Sequence, residues 1–250
     1  MREGVVLDGA APLPYTVSET PSQIRNAMNV YETFDPIVID DFVPSWYQDA
    51  LENMINETPL SYADNANHKR DTSIPIYGSK TPLVTPRHSG GLALLVSSGG
   101  TIYHERQQAT LAPMLFKLKE VVGPFNLVRT RLAMNLSDGV GGVHEQHVDN
   151  PTPHTVLLYY INDSDGDTIL YKERADPLTY VGGTYPDSFT IDVRVTPKKG
   201  RAVIFDGLQY HSVSTPKDHL KRQIININIL KHSDIEKNNY VMERRQGLGR

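Results

Sequence analysis

The chain has 250 residues, 39% hydrophobic and 22% charged, with a formal net charge of -4 and a pI near 6.1. That usage belongs to a folded globular protein rather than a disordered or fibrous one, and the length suits one domain of the sandwich or barrel kind. The charge gives no general attraction to phosphate backbones or anionic lipid, and the absence of cysteine excludes disulfide frameworks, thiolate zinc sites and cysteine nucleophiles.

In chain order, residues 1 to about 35 are polar, carry Pro12 and Pro14, and read as an arm over the core. The opening residues lack the apolar stretch of a signal peptide and no segment is long enough to span a bilayer, so the expected location is cytoplasmic. A strand is expected over 37–43, then a helix from Ser45, with Ser45 and Gln48 as a capping box and Tyr47, Leu51, Met54 and Ile55 on one face. Residues 61–103, with three prolines and the pairs Gly90-Gly91 and Gly99-Gly100, read as a loop-rich region and a weak candidate for substrate recognition. A second helix is expected over 110–122, with Pro113 in its first turn.

After Pro124 the pattern becomes that of strands. Residues 125–136 alternate, placing Arg129, Arg131, Ala133 and Asn135 on one side and Val128, Thr130, Leu132 and Met134 on the other. Further strands are expected over 155–162, 167–173, 188–195, 201–206, 210–214 and 222–230, punctuated by glycine and proline. Many short strands after two helices indicate a mainly β sandwich or jelly roll with supporting α-helices. Residues 233–250 are highly charged and read as a tail or a terminal helix.

The chemistry concentrates in Gly142–Pro151, Gly-Val-His-Glu-Gln-His-Val-Asp-Asn-Pro. In an extended segment His147 and Asp149 point the same way and Val148 the other. A metal needs a third protein ligand, and His211 is the best candidate. Two histidines and one carboxylate form a facial triad that leaves coordination positions open, the ligand type of non-heme Fe(II) oxygenases. His144, His154, His219 and His232 read as ordinary hydrogen-bonded or solvated residues.

His-Val-Asp-Asn-Pro (147–151), Leu-Tyr-Tyr-Ile-Asn (158–162), Gly-Asp-Thr (166–168), Pro-Lys-Lys-Gly-Arg-Ala-Val-Ile-Phe (197–205), His211 and Arg222 occur in this order. In this composite the chain resembles the Fe(II)- and 2-oxoglutarate-dependent dioxygenases, and within them the prolyl 4-hydroxylase-like branch. The resemblance spans roughly residues 125–230. It implies a double-stranded β-helix (jelly roll, cupin-like) core over 125–232, preceded by the arm, strand and supporting helices of 1–124 and followed by a charged tail over 233–250. It implies that His147, Asp149 and His211 hold Fe(II), with 2-oxoglutarate and O2 as cosubstrates, and that Arg222 pairs with the far carboxylate of 2-oxoglutarate. A planar guanidinium suits that bidentate role.

By the same resemblance Tyr160 helps bind that carboxylate, although Tyr160 also fits a core position. Where relatives place a tyrosine shortly before the His-x-Asp motif, this chain offers Asn135. Asn226 and Asn228 share the parity of Arg222, and with Arg131 they are candidates to touch substrate.

The activity implied is hydroxylation, first of a prolyl residue in a peptide or protein, with 2-oxoglutarate converted to succinate and CO2. A free amino acid, another small metabolite or a nucleobase are alternative substrates. A non-catalytic jelly-roll module that binds a metal or ligand, a structural protein docking through its tail, and a zinc hydrolase are alternative classes. The last two leave Arg222 and the ordered motifs without a purpose. Substrate stereochemistry and oligomeric state are not written in the sequence.

Overall fold

Two sheets face each other across an interior lined from both sides. They are seen in a computed structural model that describes residues 34–63, 76–77, 91–180 and 185–248. The arm expected over 1–35 falls almost wholly outside the described residues, as does much of 61–103. The strands are β1 (Ile37–Ile39), β2 (Ser61–Ala63), β3 (Ile76–Tyr77), β4 (Gly91–Ser98), β5 (Thr101–Ile102), β6 (Phe125–Leu136), β7 (Thr155–Tyr160), β8 (Thr168–Arg174), β9 (Phe189–Val195), β10 (Ala202–Asp206), β11 (Gln209–Val213) and β12 (Lys221–Lys231). The larger sheet runs β1-β10-β7-β12-β6-β4-β2, with β5 beside β4, and the smaller runs β11-β8-β9-β3. Every pairing is antiparallel except that of β3 with β9.

Alternation decides which residues enter the interior. On β7, Val156, Leu158 and Tyr160 join Leu170, Val203, Phe205 and Ile224 between the sheets. Leu157 and Tyr159 point the other way, to a layer that includes Ile225, Ile227 and Ile229 of β12. That outer layer is covered by helices α1 (Ser45–Glu57) and α2 (Glu105–Val122) through Leu51, Met54, Ile55, Leu111, Met114 and Leu118. Each such side chain withdrawn from water contributes roughly 1.5–3 kcal/mol. The outer face of the smaller sheet carries its own cluster of Val143, Val148, Ile169, Tyr171, Phe189 and Tyr210.

Strand β6 changes phase once. Its register with β12 slips between Asn228–Arg129 and Ile229–Leu127, so Val128 is a bulge. Phe125 and Leu127 thereby face the helices, while Arg129, Arg131, Ala133 and Asn135 line the interior.

Several sequence expectations need correction. Residues 91–98 form a strand rather than loop; the flanking glycines punctuate it, and Val96 is fully buried. Ser45 and Gln48 make no capping box: the helix starts after Pro44 with no side-chain cap, and Gln48 donates to the Val43 carbonyl and to Asp41. Helix α2 begins at Glu105, which places Pro113 inside it rather than in its first turn. Pro113 and Ala109, whose carbonyl loses its usual partner, are both exposed, so water can satisfy that carbonyl.

After β12 come a 3-10 turn (His232–Asp234) and helix α3 (Ile235–Leu248). Arg245 on α3 donates to the carbonyls of Pro151, Pro177 and Tyr180, and Asn238 donates to that of Pro153. The last helix therefore ties down the loop after Asp149 and the loop that leads to Tyr180. No helix among the described residues is long and apolar enough to cross a membrane.

Candidate metal centre and cavity

Residues 142–149 run along the edge of β11 that β8 leaves free. Val143 pairs with Ser214, and His147 with His211, each of these histidines donating its backbone N–H to the other's carbonyl at 2.9 Å. This reciprocal pair brings two residues 64 positions apart side by side, with ring centroids 4.5 Å apart. Alternation turns Asp149 to the same side as His147 and sends Val148 into the outer cluster. One donor atom from each of His147, Asp149 and His211 lies within 4.8 Å of the others.

The second atoms of these groups fix the first. His147 Nδ1 lies 3.1 Å from the Glu145 carbonyl, and His211 Nδ1 lies 3.2 Å from that of Gln209. A carbonyl only accepts, so each Nδ1 is the donor and each Nε2 is the ring nitrogen left to face a metal. Burial pushes His211 down to about 4, with His147 adding to the effect, so its imidazole is neutral at pH 7. Asp149 Oδ2 accepts from Asn226 Nδ2 at 2.9 Å and Asn228 Nδ2 at 3.1 Å, and Oδ1 lies 2.9 Å from Arg129 Nη2. Burial favours the neutral acid, but Arg129 and the other polar neighbours outweigh it and hold Asp149 well below the usual carboxylate range. Two imidazoles that present Nε2 and one fixed carboxylate fit a divalent metal that binds nitrogen and oxygen with positions left open.

The open side of this set faces a cavity of about 360 Å³. Arg222 lies in the same cavity, 2% exposed, its Nη2 donating to Thr168 Oγ1 at 2.7 Å and its Nη1 to Asn135 Oδ1 at 3.4 Å. Tyr160 is fully buried; its hydroxyl donates to Thr168 Oγ1 at 2.6 Å, and the guanidinium sits 5.4 Å above its ring. Tyr160 thus stands behind Arg222, and Thr168 is the hydroxyl that reaches the cavity. Because Thr168 Oγ1 already accepts two hydrogen bonds, its own proton is left for a third partner. Asn226 and Asn228 face inward as their parity requires, and both serve Asp149. Arg131 and Asn135 line the cavity.

Sequence reasoning gave no site role to three residues that matter here. Thr168 sits within the Gly-Asp-Thr motif, and its inward parity with Leu170 on β8 is the signal that was available. Arg129 is legible as inward-facing, but its pairing with Asp149 depends on β6 lying next to β12. His144 is hydrogen-bonded, as expected, with its Nε2 2.8 Å from Thr215 Oγ1, and it also lines the cavity.

Burial, helped by Arg222, pushes His144 down to about 4. Its unfolded value is near 6.5, so the unfolded chain binds the proton more readily, and stability is lost as pH falls from about 6.5 towards 4. His211 acts in the same direction. Denaturant unfolding of the metal-free protein should show a loss on the order of 3 kcal/mol per histidine across that window. His144→Asn should remove about half of that loss and leave the part due to His211, and a curve level from pH 7 to 4 in the parent protein would refute the burial argument.

No family model and no curated protein matches the sequence. Solved structures do match the fold. An oxidoreductase of the 2OG-Fe(II) oxygenase family from Burkholderia pseudomallei superposes with a TM-score of 0.52 at 10% identity, over 79% of this chain and 86% of that one. The non-heme alpha ketoglutarate dependent carbocyclase SnoK, from nogalamycin biosynthesis, gives 0.52 at 12% identity, over 83% of each chain. HygX from Streptomyces hygroscopicus, with nickel and 2-oxoglutarate bound, gives 0.50 at 12% identity, over 83% of this chain and 87% of that one. The chain has the double-stranded β-helix fold of the 2-oxoglutarate–Fe(II) oxygenases.

Proposed function

We propose that the protein is an Fe(II)- and 2-oxoglutarate-dependent dioxygenase that hydroxylates its substrate. The observation that carries this reading is one cavity holding His147, Asp149 and His211 together with a buried guanidinium and hydroxyl, Arg222 and Thr168. His147 Nε2, His211 Nε2 and Asp149 would hold the iron, which supplies O2 activation coupled to conversion of 2-oxoglutarate to succinate and CO2. The protein's part is geometric. The Glu145 and Gln209 carbonyls set the imidazole tautomers, Asn226, Asn228 and Arg129 hold the carboxylate, and Arg222 with Thr168 offers N–H and O–H donors to the far carboxylate of 2-oxoglutarate. Tyr180 and Tyr185 form part of the wall, with the Tyr185 hydroxyl donating to Glu145.

Structures of this fold include proteins described as a carbocyclase and as an epimerase, so hydroxylation is read from the site and not from the fold. The narrower substrate, a prolyl residue in a peptide or protein, rests on the likeness of His147–Pro151 and Leu158–Asn162 to that branch.

The test is anaerobic titration of the apoprotein with Fe(II) and 2-oxoglutarate. A metal-to-ligand charge-transfer band should grow with both and be absent in His147→Ala, and admitting O2 should release succinate slowly without substrate. An iron-loaded protein that shows no band and binds no 2-oxoglutarate would instead be a binding module.

A further inference from the structure

Among the described residues, four charged side chains besides Asp149 line the cavity, and three of them have partners. Arg129 is held by Asp149 and Asn228, Arg222 by Thr168 and Asn135, and Glu145 receives the Tyr185 hydroxyl. The fourth, Arg131, has no hydrogen-bond or ion-pair partner among the described residues. Its place is defined by the sheet: on the inward face of β6, its Cα is paired with Asn226 of β12 on one side and Leu95 of β4 on the other. Two residues along lies Arg129, on Asp149. Four residues the other way lies Asn135, on Arg222, roughly 13 Å distant at the strand rise of about 3.3 Å per residue. Arg131 therefore stands at the metal end of the cavity, away from the end that Arg222 occupies.

Burial and the neighbouring Arg129 both disfavour its charge, and the one group favouring it, Asp149, is already committed to Arg129 and two amides. A guanidinium does not deprotonate to escape this, so among the described residues the cavity holds a cation that lacks its counter-ion. The ligands of the proposed function do not supply one. With a metal dication and three arginines set against Asp149, Glu145 and dianionic 2-oxoglutarate, the site keeps a net positive charge. The volume, near the lower end for ligand pockets and shared with 2-oxoglutarate, suits a compact molecule.

We propose that Arg131 receives the carboxylate of the substrate, so that this site acts on a small free carboxylic acid rather than on an internal residue of a peptide. The inference rests on the oxygenase reading above, sets the charge of the cavity against the peptidyl-prolyl substrate that the motif likeness suggests, and fixes the substrate's charge and where that charge sits. A planar fork of donors matches a carboxylate in bidentate fashion, and a group seated there lies beside the metal ligands.

The full chain, loaded with Mn(II) and 2-oxoglutarate, tests this by paramagnetic broadening of ligand proton signals. The probes are L-proline, other α-amino acids, α-hydroxy acids and aromatic acids, each beside its methyl ester, together with a proline-containing hexapeptide amidated at its C-terminus. One or more acids should broaden at concentrations at least about tenfold below those of their esters. Arg131→Gln should abolish that preference and Arg131→Lys retain part of it, while the Kd for 2-oxoglutarate stays within about twofold in both. The proposal is overturned if esters or the peptide match the acids, or if no acid broadens. It also fails if Arg131→Gln weakens 2-oxoglutarate binding as strongly as loss of Arg222, which would assign Arg131 to the cosubstrate. Failure of the unsubstituted protein to bind 2-oxoglutarate would defeat the oxygenase reading itself; intact binding without an acid preference would defeat only this inference.

Discussion

Asp149→Asn should abolish metal binding and destabilise the metal-free protein at the same time. The carboxylate is one of three ligand groups, and losing it should raise the Kd for Fe(II) or Ni(II) by more than the roughly 10–100-fold that disturbing an outer partner costs. The stability effect has a separate cause. Asp149 is only 8% exposed and accepts from two amides while facing Arg129. An asparagine there presents an NH2 group either to the amide donors of Asn226 and Asn228 or to the guanidinium, so a donor meets a donor in both orientations. Breaking a fully buried ion pair from one side costs about 3–5 kcal/mol. Arg129 is a quarter exposed, so a loss on the order of 2 kcal/mol is expected. Isothermal titration with Ni(II) reads the first effect and urea unfolding of the apoprotein the second. Unchanged metal affinity would remove Asp149 from the ligand set.

The strand core was readable because alternation is a local property. Phe125–Leu136 has the same bounds in sequence and structure, and β7, β8, β9, β10, β11 and β12 begin or end within two residues of expectation. The inward parity of Arg222, Asn226 and Asn228 followed from the same rule. What escaped depends on contacts between distant segments. Residues 91–98 have a strand's composition, but their glycine-rich borders read as loop, and their order comes from pairing with β6. The partnership of Arg129 with Asp149 needs β6 beside β12, which no local pattern encodes. The Tyr160 hydroxyl donates to Thr168, and Thr168, whose inward parity with Leu170 is its only local mark, is the hydroxyl that reaches the cavity.

Arg222→Met should leave metal binding intact and weaken 2-oxoglutarate by about 100-fold, since hydrogen bonds from a charged donor are worth roughly 1.5–3 kcal/mol each. Methionine fills much of the same buried volume, so the fold should survive. Its chief debt is at Thr168 and Asn135, which lose a donor but keep a cavity from which water can reach them. Arg222→Lys keeps the charge without the planar fork and should fall between, at about tenfold. A third variant tests position rather than chemistry. A Cβ on Gly166 would lie 2.8 Å from the Ser214 carbonyl oxygen and 3.0 Å from Arg222 Cδ. Backbone cannot give way there, so Gly166→Ala should displace the guanidinium and weaken 2-oxoglutarate with Arg222 still present. Titrating 2-oxoglutarate into Ni(II)-loaded protein, with Ni(II) affinity measured separately, distinguishes these effects from loss of the metal. If Arg222→Met bound 2-oxoglutarate as tightly as the parent protein, the cosubstrate would have to seat at the opposite end of the cavity, and Arg131 would be the guanidinium that holds it.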